Sequence, residues 1–118
     1  MATHDFRDLL VWQRAIIYAK SVYQITSQLP KTELYALSDQ LKRAAISVPS
    51  NIAEGQKRYG TKETIHFTAI ALGSLAELQT QLILVEQIYG IATTPLVKEA
   101  DEIGRMLTAL IKSLKSKL

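Results

Sequence analysis

Cysteine is absent from the 118 residues. That excludes disulfide scaffolds, thiolate-ligated metal or iron–sulfur sites and thiol nucleophiles. Glycine and proline are scarce, at 5 and 3. A collagen-like or Pro/Gly-rich linker chain is thereby excluded, and an all-β chain with many tight turns is disfavoured. Only two histidines occur, His4 and His66. There is no G-x-S-x-G, no P-loop and no G-x-G-x-x-G. No basic start leads into an apolar stretch, so no signal peptide is expected. Charged residues break up the apolar runs, and no bilayer span is expected. The chain reads as a cytoplasmic protein with no membrane partner.

What is present is apolar residues, 47% of the chain, against 21% charged. Their spacing is helical almost throughout. A first helix is expected over about 8–28, with Asp8 as N-cap and a stripe of Trp12, Ala15, Ile16, Ala19, Val22, Tyr23 and Thr26. It stops before Leu29-Pro30, because proline disfavours helical geometry in the residue before it. A second is expected over 32–59, its stripe running Leu34, Leu37, Leu41, Ala44, Ala45, Val48, Ile52, Gly55, Tyr59. The stripe keeps phase through Pro49, which predicts one continuous, kinked helix rather than two. Ser47 and Ser50 stand where they could bond backbone groups freed by the proline. Gly60 is expected to end it in a left-handed conformation.

A third helix is expected over 61–89, with Thr61 as N-cap and Gly90 as its C-terminal stop. It carries two stripes. One is Phe67, Ala71, Leu75, Leu78, Leu82, Val85, Tyr89, and the other Ile65, Ala69, Leu72, Ala76, Ile83. A lone amphipathic helix needs only one, so this helix should be buried from two sides, by its own bundle or by a second subunit. A fourth is expected over 95–116, opened by Thr94-Pro95, with the stripe Leu96, Val97, Ala100, Ile103, Leu107, Leu110, Ile111, Leu114. Short turns between the four predict a single all-α domain over 1–118, an antiparallel up-down-up-down four-helix bundle.

Arg43, Ser47, Asn51 and Glu54 share one face of the second helix. With a tight turn at Gly60, helix-two and helix-three partners should have residue numbers summing to about 120. That sets Arg43 opposite Glu77, Ser47 near Gly73 and Ser74, and Glu54 near His66. The expectation is an inter-helix polar seam with Arg43–Glu77 as its ion pair. Such a seam either fixes register and assembly, as buried polar groups do in coiled coils, or forms a ligand or RNA site. Glu63 and His66 have the Glu-x-x-His spacing of di-iron bundles, but no second copy exists, and neither a metal site nor a cofactor is expected. Glu99, Asp101 and Glu102 read as a solvated face, and no catalytic residue is identified. Phe6 reads as an entry residue that packs on the bundle.

The net charge is +3, and it is unevenly spread. Residues 42–62 hold Lys42, Arg43, Lys57, Arg58 and Lys62 against Glu54. Residues 103–118 hold Arg105, Lys112, Lys115 and Lys117 with no acid. Helix three between them carries Glu63, Glu77 and Glu86. Lys57, Arg58 and Lys62 could grip phosphate while Tyr59 stacks a base, with Lys112, Lys115 and Lys117 as a second patch. The plainer reading is that lysines near helix ends are ordinary capping charge.

Three stretches resemble a known family. They are Phe6-Arg7-Asp8-Leu9-Leu10-Val11-Trp12-Gln13, Ser47-Val48-Pro49-Ser50-Asn51-Ile52-Ala53-Glu54-Gly55, and Gly73-Ser74-Leu75-Ala76-Glu77-Leu78-Gln79-Thr80-Gln81-Leu82. In this order they resemble the four-helix-bundle family of 23S rRNA intervening-sequence proteins, which also includes the accessory variability determinant of diversity-generating retroelements. The resemblance implies a homopentameric ring and a helix kinked at Pro49. For the retroelement branch it implies basic surfaces that bind nucleic acid and a partner reverse transcriptase. It implies no catalytic residue. The expected function is therefore a non-enzymatic homo-oligomer that binds structured RNA or DNA through its basic patches, the alternative being a protein-assembly module without nucleic-acid binding.

Overall fold

A computed structural model describes residues 5–118. Among them lie four α-helices and no strand: α1 Leu10–Thr26, α2 Leu37–Gln56, α3 Thr61–Tyr89 and α4 Thr94–Lys115. Short 3-10 turns, Phe6–Asp8 and Lys31–Glu33, precede α1 and α2. The 29 residues of α3 span about 44 Å at 1.5 Å each, which sets most of the rod's 49 Å length.

Several helix ends differ from expectation. Asp8 closes a 3-10 turn whose cap is Asp5, which accepts a bond from the Arg7 backbone N–H, and Leu9 stands at the α1 N-cap. The start of the expected second helix is the 3-10 turn, so α2 begins at Leu37 and ends before Tyr59. Gly60 is extended (φ −109°, ψ 141°) and is itself the N-cap of α3, in place of Thr61. Gly90 does take the left-handed conformation, at φ 69°. At the start of α4 the cap is Thr93. Its backbone N–H and hydroxyl donate to Glu86 Oε1 and the Leu82 carbonyl at 2.9 and 2.7 Å, which ties the turn to the end of α3.

The core is a continuous cluster drawn from all four helices, including Val22, Leu41, Leu78, Leu82, Ile103 and Leu107. Each such side chain contributes roughly 1.5–3 kcal/mol by leaving water. The stripes of α2 and α4 are the buried ones in their central turns, although Leu34 and Tyr59 are exposed. In α1 the buried set is Val11, Ala15, Tyr18, Val22, Ile25 and Thr26, so Ala15, Val22 and Thr26 of the expected stripe are buried. Its other members, Trp12, Ile16, Ala19 and Tyr23, lie half-buried or exposed at the edge of the core. The α1 helix is therefore apolar beyond its core face, and local periodicity set the stripe partly toward the outer side.

On α3 the first stripe faces the core, and of the second only Ile65 and Leu72 are half-buried. By length and composition alone, Thr61–Tyr89 could cross a membrane, contrary to the expectation that charges interrupt every long apolar run. Here its apolarity has another use, since α3 packs on both α2 and α4. Pro49 lies inside the unbroken α2, so the in-phase stripe had its meaning: one helix passes through the proline.

The candidate polar seam and basic end

The seam lies where α2 meets α3. Gly55 is the point of closest approach. A Cβ there would stand 3.1 Å from Phe67 Cβ and 3.2 Å from the Thr64 carbonyl oxygen. The Thr64 hydroxyl, buried, donates to the Gly55 carbonyl at 2.9 Å. Two turns earlier, Ser47 Oγ and Ser74 Oγ are 2.8 Å apart. Residue numbers thus rise along one helix as they fall along the other.

The polar groups here form a directed chain. Asn51 Nδ2 donates to the Ser47 carbonyl at 2.8 Å and to Ser47 Oγ at 2.9 Å. That leaves the Ser47 hydroxyl proton for Ser74 Oγ, and the Ser74 proton for the Ile70 carbonyl at 3.2 Å. A hydroxyl has one donor and two acceptor positions, and this arrangement uses them consistently. The Ser47 hydroxyl therefore bridges helices instead of bonding backbone freed by Pro49, and Ser50 is exposed.

Two expected contacts of the seam do not form. Arg43 pairs with Asp39 at 2.9 Å, not with Glu77. Both Arg43 and Glu77 line one shallow depression of about 270 Å³, together with Gln40, Ser47 and Ser74, so the register is as expected while the ion pair is not. An i,i+4 carboxylate on the same helix needs no reach across the gap, and the exposed guanidinium takes it. Glu54 likewise pairs with Arg58 at 3.0 Å, and no bond joins it to His66, whose ring sits edge-on to Phe67. Further along α3, Gln81 Oε1 is buried without a partner.

The basic end is partly committed to internal contacts. Arg58 lies over the Phe67 ring, 4.6 Å from its centroid, and Lys57 Nζ is 6.0 Å from that of Phe6. Phe6 in turn meets Trp12 edge-on at 5.3 Å. Tyr59 has no such packing and is fully exposed. Lys62, Lys112, Lys115 and Lys117 are exposed and form no ion pair among the described residues.

Sequence reasoning missed the α1–α4 tie. Arg14 Nη2 reaches Glu99 at 2.5 Å and Glu102 at 2.6 Å. Hydrogen bonds to both carboxylates raise the Arg14 pKa, and the bond from Arg14 holds Glu102 below the usual carboxylate range. Asp101 accepts from Gln79 of α3 at 2.7 Å. The acidic cluster is therefore a set of inter-helix ties and not merely a solvated face. Beneath it the buried Tyr18 hydroxyl donates to the Leu96 carbonyl at 3.0 Å. Burial pushes the Tyr18 phenol pKa up. Among the described residues no three His, Asp or Glu side chains are grouped to hold a metal; His4 lies outside them.

The family model for 23S rRNA-intervening sequence proteins matches residues 7–109. The chain belongs to that family. The match spans the seam and the α1–α4 tie. A crystal structure of a protein of unknown function from the S23 ribosomal protein family of Bacteroides thetaiotaomicron has a similar fold, with a TM-score of 0.78. It is 21% identical, over 87% of this chain and 99% of the other. Comparison with curated proteins gives no match. The intervening-sequence family thus accounts for the fold, and no enzymatic family is indicated.

Proposed function

We propose that this intervening-sequence family member is a non-enzymatic, homo-oligomeric, up-down-up-down helical bundle that binds structured nucleic acid through one basic end. The observation that carries the reading is Tyr59, a fully exposed aromatic ring flanked by Lys57, Arg58 and Lys62. A solvent-facing ring among cations is the combination that stacks a base while phosphates are held. Contacts between α3 and α4 run from Leu82–Thr93 through Gln79–Val97 to Leu72–Gly104. Continued, that progression brings Lys112 and Lys115 toward the start of α3, where Lys62 lies. Repetition around a homopentameric ring would multiply a modest patch into a multivalent surface.

A salt titration with a structured RNA fragment tests it. Each phosphate contact releases counterions, so affinity falls steeply between low and physiological salt, and a Lys57→Ala/Lys62→Ala variant has a shallower slope. A salt-independent signal, or one untouched by these substitutions, refutes it. The second reading, an assembly module without nucleic acid, is favoured by one observation: Arg58 is already paired with Glu54 and packed on Phe67. It expects no retained nucleic acid on purification. A reverse transcriptase is the protein partner to try first, by co-purification.

A further inference from the structure

We propose that the outer face of α3 seats in the apolar groove between α1 and α2 of a second copy. This rests on the self-association reading above and names the two surfaces that meet. The groove is walled by the α1 stripe residues that the core leaves out, Trp12, Ile16, Ala19 and Tyr23. One stretch of about 500 Å³ is lined by Ile16, Ala19, Tyr23 and Ile46. The next, of about 360 Å³, continues past Ile46 to Trp12 and Pro49. Ile46 is shared by both and is 50% exposed. Among the described residues no element covers this groove.

The α3 outer face is its counterpart. Ile70, Ile83, Leu84 and Ile88 are exposed there, on a helix whose core stripe is already buried. Gly73 lies among them. A helix-interior glycine is less favourable than alanine, and α2–α3 contact explains the one at Gly55. At Gly73 a Cβ would meet nothing within 4 Å, so nothing among the described residues requires glycine. Close approach of another backbone does require it.

Charge selects the occupant. Lys20 lines the groove, and Lys42 Nζ lies 5.4 Å from the centroid of the groove residue Tyr23. Neither has an ion-pair partner among the described residues, and Glu77, on the exposed side of α3, has none either. A lysine-edged apolar groove and an apolar face bearing a free carboxylate are complementary. The two surfaces differ, so the contact is heterologous and continues from copy to copy instead of stopping at a dimer, making a ring where the rotation closes.

The cysteine-free chain makes the test direct. Ile46→Cys and Thr80→Cys place one thiol in the groove and one on the α3 face. Treated with a short bis-maleimide, the double variant gives a ladder of covalent oligomers, and neither single variant gives any. Self-crosslinking by Thr80→Cys alone shows α3 meeting α3 and overturns the proposal, as does the absence of a ladder in a protein still oligomeric by light scattering. A parent chain with the mass of one protomer, 13.2 kDa, overturns the self-association reading itself. Gly73→Leu, which its own fold accommodates, reduces the assembly to that mass with helical content unchanged by circular dichroism; an unchanged mass counts against the proposed interface.

Discussion

Gly55→Ala decides whether the central motif is a packing device. The added methyl carbon would stand 3.1 Å from Phe67 Cβ and 3.2 Å from the Thr64 carbonyl oxygen. Both neighbours belong to the rigid framework of α3, so relief requires the helix itself to retreat by a few tenths of an ångström. Alanine gains about 1 kcal/mol over glycine in a helix interior. Overpacking a close contact costs about 1–3 kcal/mol. The buried Thr64–Gly55 hydrogen bond, worth about 1 kcal/mol net, is stretched as α3 moves. The loss wins by about 1.5 kcal/mol. Unfolding entropy of about 2.1 cal/mol/K per residue makes that a fall in Tm of about 6 °C for a chain of this length. Gly73→Ala is the control. Its methyl meets nothing in its own chain, so the protomer gains about 1 kcal/mol and melts about 4 °C higher. Only assembly makes the midpoint depend on concentration, so urea unfolding at concentrations tenfold apart isolates the protomer's stability. A Gly55→Ala protomer more stable than the parent would refute the reasoning.

Three further outcomes follow from the helix ties. Tyr18→Phe removes the buried bond to the Leu96 carbonyl and lowers stability by about 1 kcal/mol, read by urea denaturation. Glu102 has its pKa lowered by the bond from Arg14, so its contribution is present above the unfolded-state pKa and disappears as pH falls through the lower folded value. Glu102→Gln therefore flattens that part of the acid-unfolding curve, and a curve of unchanged slope removes the tie from the account. Thr93→Val removes the buried bond from its hydroxyl to the Leu82 carbonyl, and the loss costs about 1 kcal/mol by thermal melting.

What could be read in advance divides along physical lines. Stripes on α2 and α4 were legible because each helix has one strongly apolar face in its central turns. The α2–α3 register was legible because a short turn constrains it, hence Ser47 beside Ser74. Choice of ion-pair partner was not, because Arg43 had a carboxylate available on its own helix. The tie of Arg14 to Glu99 and Glu102 was illegible for a related reason. No short turn joins α1 to α4, so nothing local sets their register. Helix ends were missed by a few residues where 3-10 turns intervene, as between Asp5 and Leu9.

The partial offset of the α1 stripe has the same cause as the doubled stripe of α3. Each helix is apolar on a second face, and a period of 3.6 residues cannot say which face turns inward. Among the described residues α1 and α3 do not pack on each other, whereas each packs on both α2 and α4. They are the two helices across the diagonal of the bundle. A solitary four-helix bundle needs one buried stripe from each member. Surplus apolar surface on both diagonal helices is then unexplained by the protomer, and large exposed apolar patches mark interaction surfaces. Substituting the exposed Tyr23 or Ile83 by Lys should therefore leave the protomer's stability within about 0.5 kcal/mol, as at ordinary surface sites, while weakening assembly. Equal loss of both would make these positions core.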